Sequence, residues 1–266
     1  MATKTMRPAV AAGDAHGQYH SFAAVLIHAG LMDAELNWTG GRTVFIQLGD
    51  ILDRGPDPLQ IDKLLDLLQP AARAAGGDII RLIGNHELEI LRKNYFITSL
   101  PHYQIEPFRT KLIQGILSGA WRAAYCRGGF LFTHAGVCDG LYETLKLELA
   151  PQKPTCANTA ALINKIFKEA VNSGNYKHPI FNVSRRRGGA DSFGGIFWED
   201  LSALLAAHGG CPFRQIVGHT VVPRITVSDS RKITAVDADM KNVFAGGFEY
   251  LQIKGKNAKI IKITGD

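Results

Sequence analysis

Short apolar runs recur along this chain, and each is closed by a glycine and then by residues that carry chemistry. Pro8–Ala12 leads into Gly13-Asp14-Ala15-His16-Gly17. Val44–Leu48 leads into Gly49-Asp50-Ile51-Leu52-Asp53-Arg54-Gly55, and Ile79–Ile83 into Gly84-Asn85-His86-Glu87. Short apolar runs bounded by turn residues predict buried strands, here Ala9–Ala12, Thr43–Leu48, Asp78–Ile83 and Phe130–Thr133. Between them the period changes. Phe22, Val25, Leu26 and Ala29 predict a helix over Tyr19–Ala29 with Gly30 as its C-cap. Leu59, Leu64, Leu65 and Leu68 predict another over Pro58–Leu68, with Pro58 in its first turn. A third helix is expected from about Leu88, and Tyr95–Tyr125 reads as helical and irregular.

The second half differs. Asn158–Asn172 is amphipathic, with Leu162, Ile163, Ile166, Phe167 and Val171 on one side, and Pro151–Pro154 and Gly188–Gly195 read as loops. Gln215–Val217, Arg224–Ser228, Lys232–Val236, Tyr250–Lys254 and Lys259–Ile263 carry the β-branched or alternating residues of strands. Parallel strand–helix units followed by a strand-rich end predict an α/β fold: two packed mixed β-sheets flanked by helices. A single domain over residues 1–266, with a helical and loop elaboration at about 137–199, is the economical organisation.

The 266 residues include 46% hydrophobic and 20% charged ones, enough apolar surface for a sizeable core and no basis for disorder. The net charge of +6 suits anionic substrates, but Arg185-Arg186-Arg187 is the one compact basic run and lacks interleaved aromatics, so no nucleic-acid partner is expected. No stretch is long enough to span a membrane. Lys4 and Arg7 precede an apolar segment too short for a signal peptide, which favours a cytoplasmic location. Cys126, Cys138, Cys156 and Cys211 show no Cys-x-x-Cys spacing and are expected to be reduced, partly buried thiols.

The chemistry gathers where α/β sheets build their sites, at strand ends. Asp14 and His16 alternate along one turn, and Asp50 at the next strand end is placed to bridge two ions. Asn85 offers a carbonyl oxygen. His134 and His219 each follow a further apolar run and offer imidazole nitrogens. Each motif alone is an ordinary turn or a buried histidine; together they point to a two-metal hydrolase. Mixed oxygen and nitrogen donors suit Mn, Fe or Zn better than Ca. Two such ions can activate water and neutralise a phosphoryl group. The other histidines, His20, His28, His102, His178 and His208, lack this context and read as structural or surface residues.

These motifs closely resemble the calcineurin-like metallophosphoesterases. Gly49–Gly55 as Gly-Asp-x-x-Asp-Arg-Gly, with Gly84–Glu87, resembles the phosphoprotein phosphatase branch. Thr133-His134-Ala135-Gly136 and Val217-Gly218-His219-Thr220 look most like its bacterial and Shewanella-like members, and Val236-Asp237-Ala238-Asp239-Met240 is similar to that group more weakly. The resemblance implies a four-layer fold and two metal ions, Mn foremost and Fe or Zn as alternatives. Asp14, His16 and Asp50 would hold one ion; Asp50, Asn85, His134 and His219 the other. Arg54, Asn85 and His86 would bind phosphate. His86 would protonate the leaving oxygen, oriented by Asp53, since a neighbouring carboxylate favours imidazolium. The implied reaction is hydrolysis of a phosphorylated protein or peptide by a metal-activated water.

The chain departs from the branch in two places. Ile196-Phe197-Trp198-Glu199-Asp200-Leu201 stands where a Trp-Ser-Asp-Pro segment follows a second phosphate-binding arginine, leaving Arg185, Arg186 and Arg187 as candidates for that arginine. Ala135-Gly136 replaces the Gly-Gly of eukaryotic members after the histidine, so the substrate expectation takes in phosphotyrosine as well as phosphoserine and phosphothreonine. Hydrolysis of diadenosine tetraphosphate or another nucleotide is the alternative enzyme reading, and a non-catalytic binding module is disfavoured by the intact ligand set. Cysteine phosphatases, P-loop NTPases and serine hydrolases are excluded: the chain has no Cys-x5-Arg loop, no Gly-Lys-Ser/Thr step and no Gly-x-Ser-x-Gly elbow.

Overall fold

A computed structural model describes residues 6–206 and 211–264. Lys4 and His208 lie outside the described residues. The chain forms, in order, β1 (Ala9–Ala12), α1 (Tyr19–His28), β2 (Val44–Gln47), α2 (Pro58–Ala74), β3 (Asp78–Leu82), α3 (Asn85–Leu91), α4 (His102–Ser118), β4 (Trp121–Arg122), β5 (Ala124–Arg127) and β6 (Phe130–Thr133). It continues with α5 (Asp139–Leu149), α6 (Cys156–Ser173), α7 (Leu201–Ala206), β7 (Arg214–Val217), β8 (Thr226–Val227), β9 (Ile233–Ala235), β10 (Glu249–Lys254) and β11 (Asn257–Lys262).

Two mixed sheets result, as expected. The first runs β11-β10-β1-β2-β3-β4, with β1 to β4 parallel and the β10–β11 hairpin antiparallel beside β1. The second runs β5-β6-β7-β9-β8, with β6, β7 and β9 parallel between antiparallel edges. Their alternating side chains make two apolar layers. Ala9, Ala11, Val44, Ile46, Ile80 and Leu82 face Phe130, Phe132 and Ile216 of the other sheet. Val10, Ala12, Phe45 and Ile79 turn the opposite way, into the core that includes residues of the helices. Burial on both faces explains why these strands read as continuous apolar runs.

The boundaries differ from expectation where polar residues serve the site or where tertiary contacts decide. α3 starts at Asn85 rather than near Leu88, because its first turn is built from Asn85, His86 and Glu87, which carry no apolar stripe. The end of the 95–125 segment is strand: β4 closes the first sheet and β5 opens the second, with only Ala123 between them. Asn164 on α6 makes that sharp transfer between sheets tenable. Its Oδ1 accepts the Ala123 and Ala124 N–H groups at 2.9 and 3.1 Å, and its Nδ2 donates to the Ala124 carbonyl at 2.8 Å. The 137–199 segment contains α5 as well as the expected α6, and α7 follows it.

The cysteine expectation is corrected. Cys126 on β5 and Cys156 at the start of α6 form a disulfide, with Cα atoms 5.7 Å apart. The partners are 30 positions apart, and only the packing of α6 on β5 brings them together, so spacing gave no signal. Cys138 and Cys211 are free, buried thiols.

Candidate metal centre

Asp14 follows β1, Asp50 follows β2, Asn85 and His86 open α3 after β3, His134 follows β6 and His219 follows β7. The two sheets thus deliver their parallel strand ends to one place. Five of the nine non-glycine residues with positive φ among the described residues lie here: His16, Asp50, Asp53, Arg54 and His219. Such backbone is unfavourable for side-chain-bearing residues and persists where surrounding contacts hold it. The Ala15 and His16 N–H groups both donate to the Asp50 carbonyl, at 3.0 and 2.8 Å, clamping the first motif onto the second. Glu87 clamps the second onto the third. Its carboxylate accepts N–H groups from Asp50 (2.9 Å), Ile51 (3.0 Å), Leu52 (3.3 Å) and Gly84 (2.8 Å). Gly84 is required there: a Cβ would sit 2.0 Å from Asp50 Oδ1.

The candidate ligands converge around Asp50. Its Oδ1 accepts the His86 N–H at 2.9 Å. Its Oδ2 lies 3.7 Å from His16 Nε2, 3.8 Å from His86 Nε2 and 3.6 Å from His134 Nε2. Asp14 Oδ2 lies 3.7 Å from His16 Nε2, and neither of these buried atoms has a hydrogen-bond partner. Asn85 Oδ1 lies 2.9 Å from His134 Nε2 and 2.8 Å from His219 Nδ1, and those two nitrogens are 3.1 Å apart.

Proton accounting shows that this set fits cations. The Leu52 carbonyl takes the Nδ1 proton of His16 at 2.9 Å, and the Leu48 carbonyl that of His134 at 2.8 Å. Each neutral ring then points a bare Nε2 inward, at carboxylate and amide oxygens that are themselves acceptors. Buried acceptors facing one another without protons are costly, and a cation at each convergence satisfies them together. His16, Asp50 and His86 form one group whose ligand atoms lie within 4.8 Å of one another; Asp50, His134 and His219 form a second.

Electrostatics separates His86 from the other histidines. Burial pushes the His16 pKa down to about 4 against the pull of Asp50. Burial likewise lowers His134, and burial with His134 and Arg187 holds His219 well below the usual range. These rings are kept neutral, as ligands must be. Burial also opposes charge on His86, but Asp50 and then Asp53 outweigh it and push the pKa up to about 9. Asp53 Oδ2 meets His86 Nδ1 at 2.7 Å, and Asp53 Oδ1 is held by Thr98 Oγ1, the Ser99 N–H and Ser99 Oγ at 2.9, 2.6 and 3.1 Å. His86 is therefore set up to carry a proton rather than to share a lone pair. Asp50 keeps its charge: burial opposes ionisation, but His134, His86 and His16 hold its carboxyl below the ordinary range.

Arginines stand on two sides. Arg54, beside Asp53, lines a 160 Å³ cavity with Asp14 and His16. Of the three consecutive arginines, Arg187 reaches the centre. It donates to Thr220 Oγ1, next to His219, and pairs with Asp200 at 3.2 Å. Arg185 and Arg186 are exposed and turn away, to the Ala190 carbonyl and to Ser202 Oγ (2.8 Å). The three residues form one tight turn of about three residues, which sends consecutive side chains in different directions. Trp198 meets the His219 ring edge-on at 5.7 Å.

Sequence reasoning gave no role to Glu87, Thr98, Ser99 or the aromatic contact of Trp198. Glu87 had a signal, since a glutamate three residues after a helix-opening position is a capping pattern.

Relatives fit this geometry. A stretch of 156 residues, 55% of the chain, is 32% identical to Shewanella-like protein phosphatase 2 of Arabidopsis thaliana. Another of 78 residues, 29% of the chain, is 36% identical to Shewanella-like protein phosphatase 1 of Plasmodium berghei. These matches span only 35% and 22% of the relatives' own lengths. In fold, the chain is similar over 97% of its length to a cold-active protein-tyrosine phosphatase of a Shewanella species, covering 81% of that chain (TM-score 0.67, 20% identity). It is also similar over its full length to a protein serine/threonine phosphatase of Saccharomyces cerevisiae, covering 82% of that chain (TM-score 0.59, 11% identity). The calcineurin-like phosphoesterase profile matches residues 8–223, from the strand before Asp14 to beyond His219, and the chain belongs to that family.

Proposed function

We propose that this chain is a dinuclear-metal-dependent phosphomonoesterase that acts on phosphorylated proteins or peptides, at serine or threonine and also at tyrosine. The observation that carries this reading is the split among the histidines: three held neutral with nitrogens converging on Asp14, Asp50 and Asn85, and a fourth held charged by Asp50 and by its hydrogen-bond partner Asp53. Asp14, His16 and Asp50 would hold one ion, and Asp50, Asn85, His134 and His219 the other. Manganese is favoured, with Fe or Zn compatible with the same donors. Bound ions would supply phosphoryl charge neutralisation and activation of the attacking water.

The remaining work falls to this chain's own groups. Arg54 and Arg187 grip phosphate oxygens from two sides, as guanidinium forks do. Asn85 contributes to the same oxygen-binding set. His86 gives its Nε2 proton to the departing alkoxide, and Asp53 stabilises and orients the imidazolium that does so. Residues 137–199 form an elaboration of the same domain and bring Arg187 to the site. Relatives named as protein phosphatases support the substrate class. No helix among the described residues is long and apolar enough to cross a membrane.

The test is a panel of phosphoserine, phosphothreonine and phosphotyrosine peptides with diadenosine tetraphosphate alongside, assayed with Mn2+ and after chelation. Manganese-dependent release of phosphate from peptides is expected. Turnover of the nucleotide alone would replace this reading with nucleotide hydrolysis, and full turnover after chelation would remove the metals.

A further inference from the structure

The strand-end rule that singles out Asp14 and Asp50 applies once more: Asp237 follows β9, which lies beside β7 in the second sheet. Its backbone is pressed against the first motif, since a Cβ on Gly13 would lie 2.7 Å from Asp237 Cα and from the Val236 carbonyl oxygen. The Val222 N–H donates to the Asp237 carbonyl at 2.8 Å, and the Val236 N–H to the Val217 carbonyl at 2.8 Å, so the segment is also tied to the turn that carries His219.

Asp237 is 2% exposed. Its Oδ1 accepts only a long bond from the Asp239 N–H at 3.3 Å, and its Oδ2 is buried with no hydrogen-bond partner. It lines the 160 Å³ cavity that also receives Asp14, His16 and Arg54. Asp14 Oδ2, His16 Nε2 and Asp237 Oδ2 are all buried and unpartnered, and their three residues line this one cavity. An isolated buried carboxylate is among the costliest groups a protein can hold, and it is retained where something positive completes it. No ion pair of Asp237 with Arg54 or Lys241, the cations on this cavity, occurs among the described residues.

We propose that Asp237 belongs to the cation-binding set of the Asp14–His16 half of the centre and supplies a third carboxylate to it, beyond Asp14 and Asp50. Asp14 and Asp237 put two buried carboxyl groups on the same cavity, and a cation between them relieves the repulsion of like charges. This inference rests on the metal-centre reading of the proposed function but not on its substrate.

The test uses the full chain. Asp237→Asn keeps the shape and removes the charge. Mn2+ titration by calorimetry, with metal content after dialysis, is compared with wild type and with Asp239→Asn, a half-buried neighbour on the same cavity. Asp237→Asn should weaken one of two Mn2+ equivalents by roughly 10–100-fold, the range seen when groups supporting metal ligands are lost. Its metal-free form should melt no lower than wild type, because a repulsion has been relieved, while the stabilisation gained on adding Mn2+ shrinks. Asp239→Asn should bind both equivalents normally. Two equivalents bound at wild-type affinity by Asp237→Asn would overturn the proposal. So would a metal-free variant that is destabilised or unfolded, since the carboxylate would then be structural. A wild-type protein that binds two ions but hydrolyses no phosphopeptide would defeat the substrate reading and leave this one standing.

Discussion

Asp53 Oδ2 lies 2.7 Å from Nδ1 of His86, and three donors from Thr98 and Ser99 hold the other oxygen of the same carboxylate. The imidazole is thus fixed in angle and charge by a group that is itself fixed. An alkoxide leaving from phosphoserine needs a proton, whereas nitrophenolate leaves without one. His86→Asn should therefore lower kcat/KM for a phosphoserine peptide by about 10²–10⁴-fold and that for nitrophenyl phosphate far less. Asp53→Asn should act in the same direction more mildly. Equal losses on both substrates, with both metals retained, would show that another group donates the proton.

Arg187 and Arg186 are adjacent in sequence but face different surroundings. If Arg187 grips phosphate as proposed, Arg187→Ala removes a charge-assisted contact worth roughly 1.5–3 kcal/mol, so kcat/KM for a phosphopeptide should fall about 10–100-fold, with a raised KM. Arg186→Ala changes an exposed side chain bonded to Ser202, and should stay within about twofold. Steady-state kinetics of the two variants decides. Comparable losses would mean that the turn rearranges when substrate binds and that no single arginine is dedicated.

Most candidate ligands were legible because parallel α/β sheets place functional residues at strand ends, and apolar runs mark those ends in the sequence. Asp14, His16, Asp50, Asn85, His134 and His219 all followed that rule, and the structure brings them together. Asp237 obeys it too. It follows the strand-like run Lys232–Val236, but no glycine intervenes between run and carboxylate to mark the turn as at Gly13 and Gly49. Other features depend on tertiary geometry that a linear pattern does not encode. The first turn of α3 is polar because it serves the site, so periodicity placed the helix late. The choice of Arg187 among three arginines depends on the phase of a single turn. The Cys126–Cys156 pair depends on where α6 docks.

Cysteine reactivity should follow that docking. Burial pushes the thiols of Cys138 and Cys211 up, to about 12 and about 11. A raised thiol pKa means neutral sulfur at pH 8, and only thiolate alkylates. Native protein treated with iodoacetamide at pH 8 should therefore remain unmodified at both. Unfolded without reductant it should release two titratable thiols, and with reductant four. Four thiols without reductant would refute the disulfide, and rapid native labelling of Cys138 would show that its site opens.

Glu87 makes a sharper claim about what organises the centre, because one carboxylate holds four N–H groups from two motifs. Burial, and then Asp50, push its carboxyl up to about 7, while those N–H groups favour the ionised form. At pH 8 it is the carboxylate that binds them. Glu87→Gln offers one acceptor oxygen and turns an NH2 toward N–H donors, so some of the four lose their partner. The loss should be roughly 1.5–3 kcal/mol at pH 8, seen in urea unfolding of the metal-free protein. The backbone at Asp50 is held by these bonds in a positive-φ conformation, so Mn2+ affinity should fall as well. Glu89, on the same helix, is the comparison: it is buried and bonds Arg92 and Asn94, away from the motifs. Glu89→Gln should cost stability while leaving metal affinity unchanged. If Glu87→Gln also binds Mn2+ as wild type does, the carboxylate is a helix cap and nothing more, and the position of Asp50 must be enforced by the Ala15 and His16 clamp alone.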